Sequence, residues 1–298
     1  MKRMAAIDIG TNSTRLLIGR LLETGQIRPL VTELRTTRLG DGVDASRSLK
    51  GEAMNRVIKA LKEYKELINQ QKLDKVRVVA TSAVRDSSNQ REFIKKVKIE
   101  TGLEVDVISG EEEAELSYLG VIKGLSNSLL DANLVIDIGG GSTEFIFGSK
   151  NEIKERRSID VGAVRMTEKF EEVEQRRDLI VRELFSITER FQNKSKILLG
   201  VGGTITTLAA IDQNLAIYNR NKVHGYSLGF PTVKKIFLDL KAKTISERKK
   251  VTGLQPKRAD IIVAGIQILL EIMERLGKKE VVVSESDILD GIIYEYYK

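Results

Sequence analysis

The sequence predicts an α/β protein built from two similar lobes facing one another across a cleft, and three observations carry that expectation. The first is the stretch 134–148: an apolar run (Leu134, Val135, Ile136) ends on Asp137, passes through Gly139, Gly140, Gly141, Ser142 and Thr143, and resumes at Phe145, Ile146 and Phe147. This pattern reads as strand, glycine turn, strand. The second is that the stretch occurs twice. Aligning 6–19 on 135–148 matches Ile7 with Ile136, Asp8 with Asp137, Ile9 with Ile138, Gly10 with Gly139, Ser13 with Ser142, Thr14 with Thr143 and Gly19 with Gly148, seven identities in fourteen positions. Matched copies this far apart point to duplicated lobes rather than to one hairpin. The third is a further glycine turn, 200–204, which leads from Leu198 and Leu199 into a helical spacing over 205–211.

These turns suit phosphate. Glycine lets the main chain take conformations closed to other residues and lets another group approach closely, so the N–H groups of Gly139, Gly140, Gly141, Ser142 and Thr143 can converge on an anion. The helix start at Gly202, Gly203 and Thr204 offers a further anion site. Asp137 is repelled by phosphate unless a hard cation such as Mg²⁺, held by one or two carboxylates and phosphate oxygens, stands between them.

The chain has 298 residues and no cysteine, which removes disulfides, thiol catalysis and Cys-based zinc sites. A single histidine, His224, argues against a Ser-His-Asp or His-cluster mechanism, so carboxylates must do any acid–base work. No window reaches the roughly 18–20 apolar residues of a membrane span, and a soluble cytoplasmic protein is expected. The net charge of +7 is uneven: residues 186–260 hold fourteen Lys/Arg against five Asp/Glu, a local +9 that suggests a polyanion partner.

Taken in order, the first lobe opens with strands over 3–9, 14–22 and 27–38, the last two joined by a hairpin at Gly25-Gln26. Met54, Val57, Ile58, Leu61, Leu67 and Ile68 form one apolar face of a helix over 51–71. A strand over 76–80 leads out through 81–85, Ser87 or Ser88 caps a helix running to 101, and a strand covers 103–108. Ser109 and Glu112 have capping-box spacing at the start of a helix to 123. Glu113 shares a face of that helix with Leu116, Ser117 and Gly120, an inward side where a carboxylate needs a task. A polar linker at 126–132 marks the boundary, giving lobes 1–125, joined by a closing helix in 286–298, and 126–285. The second lobe continues through a strand at 152–160, the segment 161–165, helices at 166–171 and 174–192, and a strand at 197–201. Pro231 opens a helix to 243, Pro256 opens one ending near 277, and a last strand covers 281–284.

Five motifs in order, Asp-Ile-Gly-Thr-Asn-Ser (8–13), Ala-Thr-Ser-Ala-Val-Arg (80–85), Ser-Gly-Glu-Glu-Glu-Ala (109–114), Asp-Ile-Gly-Gly-Gly-Ser-Thr-Glu (137–144) and Gly-Val-Gly-Gly-Thr (200–204), resemble the exopolyphosphatase/guanosine pentaphosphate phosphohydrolase family over nearly the whole chain. The resemblance implies membership of the sugar kinase/heat-shock protein 70/actin superfamily, hence two ribonuclease-H-like (actin-like) lobes, with the closing helix packed on the first. It implies Glu113 as catalytic base, and a substrate role for Arg85. Asn12, Ser13, Arg15, Gly139, Gly140, Gly141, Ser142, Thr143, Gly202, Gly203 and Thr204 are expected at the phosphates, and Asp8, Asp137 and Glu144 at Mg²⁺ or Mn²⁺. One departure stands at 284–291, Ser-Glu-Ser-Asp-Ile-Leu-Asp-Gly, where relatives usually carry Gly-Leu/Val-Arg-Glu-Gly, so no role is carried over from that arginine.

The implied reaction is metal-assisted phosphoanhydride hydrolysis, the release of terminal phosphate from inorganic polyphosphate. Alternatives are hydrolysis of guanosine pentaphosphate to the tetraphosphate, and a non-hydrolytic nucleotide-binding member of the superfamily, against which Glu113 speaks. No membrane or specific nucleic acid is expected as partner, and a homodimer is compatible with the fold.

Overall fold

The computed structural model describes residues 2–125, 133–149, 152–192 and 194–298, so the expected linker at 126–132 lies outside the described residues. The chain divides into unit 1, Met1–Lys123 with Ile288–Lys298, and unit 2, Gly124–Asp287.

Unit 1 is built on β1 (Arg3–Ile9), β2 (Ser13–Leu21), β3 (Ile27–Thr36), β4 (Lys75–Ala80) and β5 (Val105–Val107), with helices α1 (Val43–Ser46), α2 (Gly51–Asn69), α3 (Ser82–Arg85), α4 (Gln90–Thr101) and α5 (Gly110–Gly124). The sheet order is β3-β2-β1-β4-β5; β1, β2 and β3 pair antiparallel, while β4 and β5 continue parallel to β1. The central strand β1 is buried on both faces because apolar residues occupy both sides of its pleat. Ala5, Ile7 and Ile9 join the core formed with the apolar face of α2, whereas Met4 and Ala6 pack with Leu116 of α5 and with Ile292 and Ile293 of the closing helix Ile288–Tyr296. Gly291 permits that second layer, since any side chain there would collide with the Leu116 carbonyl. Tyr64 of α2 is fully buried and donates its hydroxyl to the Thr14 carbonyl at 2.8 Å, fixing the helix beside the first glycine turn. Truncating a buried neighbour such as Leu61 to alanine should cost about 2–5 kcal/mol.

Unit 2 repeats the scheme with β6 (Asn133–Ile138), β7 (Thr143–Ser149), β8 (Glu152–Ile159), β9 (Ile197–Val201), β10 (Ser227–Gly229) and β11 (Glu280–Val283). Its sheet order is β10-β11-β9-β6-β7-β8: β6, β7 and β8 form the antiparallel half, β9 and β11 the parallel half, and β10 adds an antiparallel edge. Helices α6 (Ala163–Lys169), α7 (Val173–Phe191), α8 (Gly203–Asp212), α9 (Arg220–Val223), α10 (Phe230–Ala242), α11 (Ile245–Arg248) and α12 (Ile262–Arg275) surround it. Its core runs from Ile136, Ile138 and Phe145 to Leu269 and Ile272 of α12, with Phe145 stacked on Phe191 at 6.4 Å between ring centroids.

Three local expectations are corrected. Ser109 caps α5, its Oγ accepting from the Glu112 N–H at 3.1 Å, but the Glu112 carboxylate turns to Arg77 (2.6 Å), because an arginine offers a charged partner that the N-cap amide does not. The residue before α4 is Asn89, whose side chain bridges the Leu49 N–H and carbonyl at 2.8 and 3.0 Å rather than capping the helix; Ser88 instead donates to the Arg47 carbonyl. Pro256 opens only a 3₁₀ turn, Pro256–Arg258, and α12 begins at Ile262.

Candidate functional site

In unit 1 the turn between β1 and β2 is closed by the Gly10 N–H donating to the Ser13 carbonyl at 3.0 Å. Its outward carbonyls are already used: Thr11 accepts from the Gly40 N–H, and Asn12 accepts from those of Thr37 and Arg38, at 2.9–3.1 Å. Among the described residues the N–H groups of Thr11 and Asn12 donate to no backbone carbonyl, which leaves them for an anion. Asn12 and Ser13 are buried together, Nδ2 of the first 3.2 Å from Oγ of the second.

Asp8 and Arg15 are cross-strand partners in the β1–β2 register, so their side chains share one face of the sheet. Arg15 donates to Asp8 Oδ2 through Nε at 3.1 Å and Nη2 at 2.7 Å. Arg15, expected at phosphate, and Asp8, expected at a cation, are thus paired with one another.

Glu113 lies in the first turn of α5, where the helix dipole favours a carboxylate. Arg85, at the end of α3, reaches it: Nη1 donates at 3.1 Å both to Glu113 Oε2 and to the Ile108 carbonyl, with Nε 3.9 Å from Asp86 Oδ1. The adjacent Glu112 is held by Arg77, which also bridges Asp106 at 2.9 Å and Glu295 at 2.5 Å. Two arginines from one β4–α3 segment therefore grip neighbouring glutamates of one helix turn.

In unit 2 the turn between β6 and β7 has the same closure, Gly139 N–H to Ser142 carbonyl at 3.0 Å, so the Gly139 N–H, expected at an anion, is used by the turn itself. Here the outward carbonyls are taken by the start of α6: Gly139 accepts from the Ala163 N–H, and Gly140 from those of Val164 and Arg165, at 2.8–3.1 Å. Gly162 must be glycine, because a Cβ would collide with the Gly140 carbonyl. Among the described residues the N–H groups of Gly140, Gly141 and Ser142 donate to no backbone carbonyl. Thr143 Oγ1 donates to the Val161 carbonyl at 2.5 Å, so Thr143 bolts the turn from behind. Arg165 likewise supports it, Nε donating to the Gly141 carbonyl at 2.7 Å.

Asp137 and Glu144 are cross-strand partners, as Asp8 and Arg15 are in unit 1. Glu144 is 1 % exposed and accepts from Ser158 Oγ at 2.7 Å. The third turn closes on Asp137: Gly202 takes φ +95°, and a Cβ on it would stand 3.0 Å from Asp137 Oδ1 and 2.7 Å from the Ile138 carbonyl. Behind it α8 presents its first-turn N–H groups. The Thr204 side chain is buried against Gly265 of α12, so what Thr204 offers an anion is its N–H.

The sequence reading passed over Arg258. Its guanidinium lies directly on Gly203, where any side chain would collide with it, and thus brings a fixed positive charge to the start of α8. Arg258 was visible only as one member of the basic stretch, since nothing in spacing pairs residues 203 and 258. His224 is structural: Nδ1 accepts from the Glu285 N–H at 3.1 Å, which fixes the tautomer and makes Nε2 the donor to the Gly124 carbonyl at 3.1 Å.

Among the described residues no group of three or more Asp, Glu or His side chains is placed to hold a metal ion. Of the expected set Asp8, Asp137 and Glu144, the last two are carboxylates on one sheet face, a pair whose chemistry, with phosphate oxygens, suits Mg²⁺. No helix among the described residues is long and apolar enough to cross a membrane.

Known proteins resemble this chain over nearly its whole length. The chain is 38% identical over 309 aligned residues to the bifunctional 3-dehydroquinate synthase/phosphatase of Fusobacterium nucleatum, covering 98% of this chain but 46% of that longer protein. It is 35% identical to exopolyphosphatase 2 of Mycobacterium tuberculosis, covering 98% of both. Among solved structures, the Aquifex aeolicus member of the Ppx/GppA family superposes with a TM-score of 0.83 at 35% identity, covering 99% of this chain and 97% of that one. An exopolyphosphatase from Cytophaga hutchinsonii superposes with a TM-score of 0.90 at 30% identity, covering 99% and 97%. With the duplicated glycine turns, the two β-sheets and a match over residues 17–298 in agreement, the chain belongs to the Ppx/GppA phosphatase family.

Proposed function

We propose that the chain is an exopolyphosphatase, which releases terminal orthophosphate from inorganic polyphosphate by hydrolysis of a phosphoanhydride. The observation that carries this reading is the pair of matched turns whose outward carbonyls are occupied while their central N–H groups keep no backbone acceptor, a repeated cradle for phosphoryl oxygens. The mycobacterial relative named as an exopolyphosphatase, matched along its whole length, supports it. Asn12, Ser13, Gly140, Gly141, Ser142, Gly202, Gly203 and Thr204 hold phosphates, chiefly through main-chain N–H groups, while Gly139, whose N–H closes the turn, shapes the cradle. Glu113 accepts a proton from the attacking water as the terminal P–O bond breaks. Asp137 and Glu144 would hold Mg²⁺ or Mn²⁺, which when bound neutralises charge on the phosphoryl oxygens. Asp8 keeps Arg15 and shapes the first turn. The exposed lysines of the basic stretch, Lys234, Lys235, Lys249 and Lys250 among them, attract the rest of the polyanion.

The test is phosphate release from long-chain polyphosphate and from guanosine pentaphosphate, side by side, with and without Mg²⁺. Turnover of polyphosphate that stops in excess EDTA is expected. Preference for guanosine pentaphosphate would move the assignment to the nucleotide, and no release from either would leave a binding protein.

A further inference from the structure

We propose that Arg85 is the positioning residue of the base: it holds the Glu113 carboxylate in its working orientation rather than serving chiefly as a phosphate ligand. The inference rests on the exopolyphosphatase reading and its assignment of Glu113. Glu113 sits in the first turn of a helix, where a glutamate has several staggered rotamers and side-chain entropy opposes any single one. The structure removes that freedom. Arg85 Nη1 is itself anchored by the Ile108 carbonyl at 3.1 Å, so the second bond it makes, to Glu113 Oε2 at 3.1 Å, ties the carboxylate to a main-chain point at the end of β5. Both side chains are mostly buried, 24% and 14% exposed, so the pair is less screened than a surface bridge. The backbone carrying Glu113 is fixed independently through Ser109 and through Arg77 on Glu112.

The two roles for Arg85 separate kinetically. A phosphate ligand acts on substrate binding, whereas a residue that aims the base acts on turnover, and only while the base is present. Lysine keeps the charge but ends one bond short of Nη1 and lacks the planar fork. Phosphate release from long-chain polyphosphate in Mg²⁺ is measured for the parent, Arg85→Lys, Glu113→Gln and the double variant, with thermal melting to confirm folding. For Arg85→Lys, kcat should fall about tenfold to a hundredfold while KM stays within about threefold, the size of effect a misplaced group has. In the Glu113→Gln background the same change should lower kcat by less than about twofold, since effects on one coupled pair do not add. Should the lysine variant melt early, Arg85→Ala with added guanidinium ion takes its place: the ion should restore turnover with Glu113 present and not in the Glu113→Gln background. Arg85→Lys that raises KM at constant kcat, or losses that multiply in the double variant, would overturn the inference and leave Glu113 as the base. Glu113→Gln with parental turnover would overturn the base assignment, and this inference with it.

Discussion

Units 1 and 2 carry the same five-strand order, β3-β2-β1-β4-β5 in one and β8-β7-β6-β9-β11 in the other, down to local irregularities. The β2–β3 ladder shifts register between Ile18 and Gly19, the β7–β8 ladder between Phe147 and Gly148, and these glycines are equivalent in the repeat. Both turns are closed by one 3.0 Å bond and anchored through their carbonyls by a following segment. Among their differences, one bears on charge: opposite the turn aspartate stands Arg15 in unit 1 and Glu144 in unit 2. An arginine opposite an aspartate offsets its charge through the bonds to Oδ2, whereas two carboxylates opposite one another repel and together suit a divalent cation. The proposed function uses that difference, placing the cation at the turn of unit 2 and the base, Glu113, in unit 1.

The largest test of that division is Glu113→Gln, which keeps the shape and removes both charge and proton acceptor. A general base contributes about 10²–10⁴ in rate, so turnover should collapse by that factor with polyphosphate binding level or tighter, because a carboxylate repels phosphate. Glu111→Gln, an exposed change in the same helix turn, is the control. Glu112 does not serve, since its bond to Arg77 makes it part of the support. Binding that falls in step with rate would make Glu113 a ligand or a structural group.

Next in size is the contrast between the turn aspartates. Asp137→Asn should raise the Mg²⁺ concentration needed for half-maximal activity about 10–100-fold. Asp8→Asn should leave that concentration within about threefold and lower the melting temperature instead, because it weakens charge-assisted hydrogen bonds worth on the order of 1.5–3 kcal/mol. Equal shifts of the metal curve in both variants would erase the distinction between the turns.

Much of this was legible in the sequence because it is written in residue types that only one local geometry tolerates. Asp8 and Asp137, with their glycines and hydroxyls, located both turns, and the Met54–Ile68 spacing located α2 with its buried face. What stayed hidden depends on partners distant in the chain. That Arg85 would choose Glu113, that Glu112 would leave its cap for Arg77, and that Arg258 would rest on Gly203 follow from tertiary placement, not from spacing. One local signal was readable and overlooked: Thr244 and Glu247 form a full capping box at α11, with the Glu247 N–H donating to Thr244 Oγ1 at 3.3 Å and the Thr244 N–H to Glu247 Oε2 at 2.8 Å.

Glycine positions sharpen the comparison at smaller magnitude. Gly202→Ala forces a side chain into φ +95° and into contact with the Ile138 carbonyl, so it should cost about 1–3 kcal/mol and disturb Asp137 with it. Gly25→Ala, in the unit 1 hairpin at φ +80° with no atom within 4 Å of the added Cβ, carries the backbone strain alone, about 1–2 kcal/mol. Chemical denaturation should rank Gly202→Ala as the costlier change, and Mg²⁺ titration should shift only for it. A metal curve as displaced in Gly25→Ala would detach the third turn from the cation site.

The smallest effect concerns acidity, and it belongs to unit 2 because the chain's one histidine lies there. Burial pushes the His224 pKa below its ordinary value; the Gly124 carbonyl acts the other way, and Arg220 adds repulsion. The charged ring would also lose its acceptor for the Glu285 N–H. Below the ordinary value of about 6.5, the unfolded chain takes up a proton that the folded chain refuses until the lower folded pKa is reached. In that window stability falls as pH falls, with a slope of at most about 1.4 kcal/mol per pH unit from this one group, and above about 6.5 its contribution is fully present. His224→Gln should therefore lose stability relative to the parent at pH 7.5 and recover part of that deficit at pH 5.5. Hydrogen exchange should locate the acid response at the Glu285 amide and the adjoining end of β11, with β1 of unit 1 unmoved. A deficit that is the same at both pH values would show that protonation of His224 does not differ between the folded and unfolded chain.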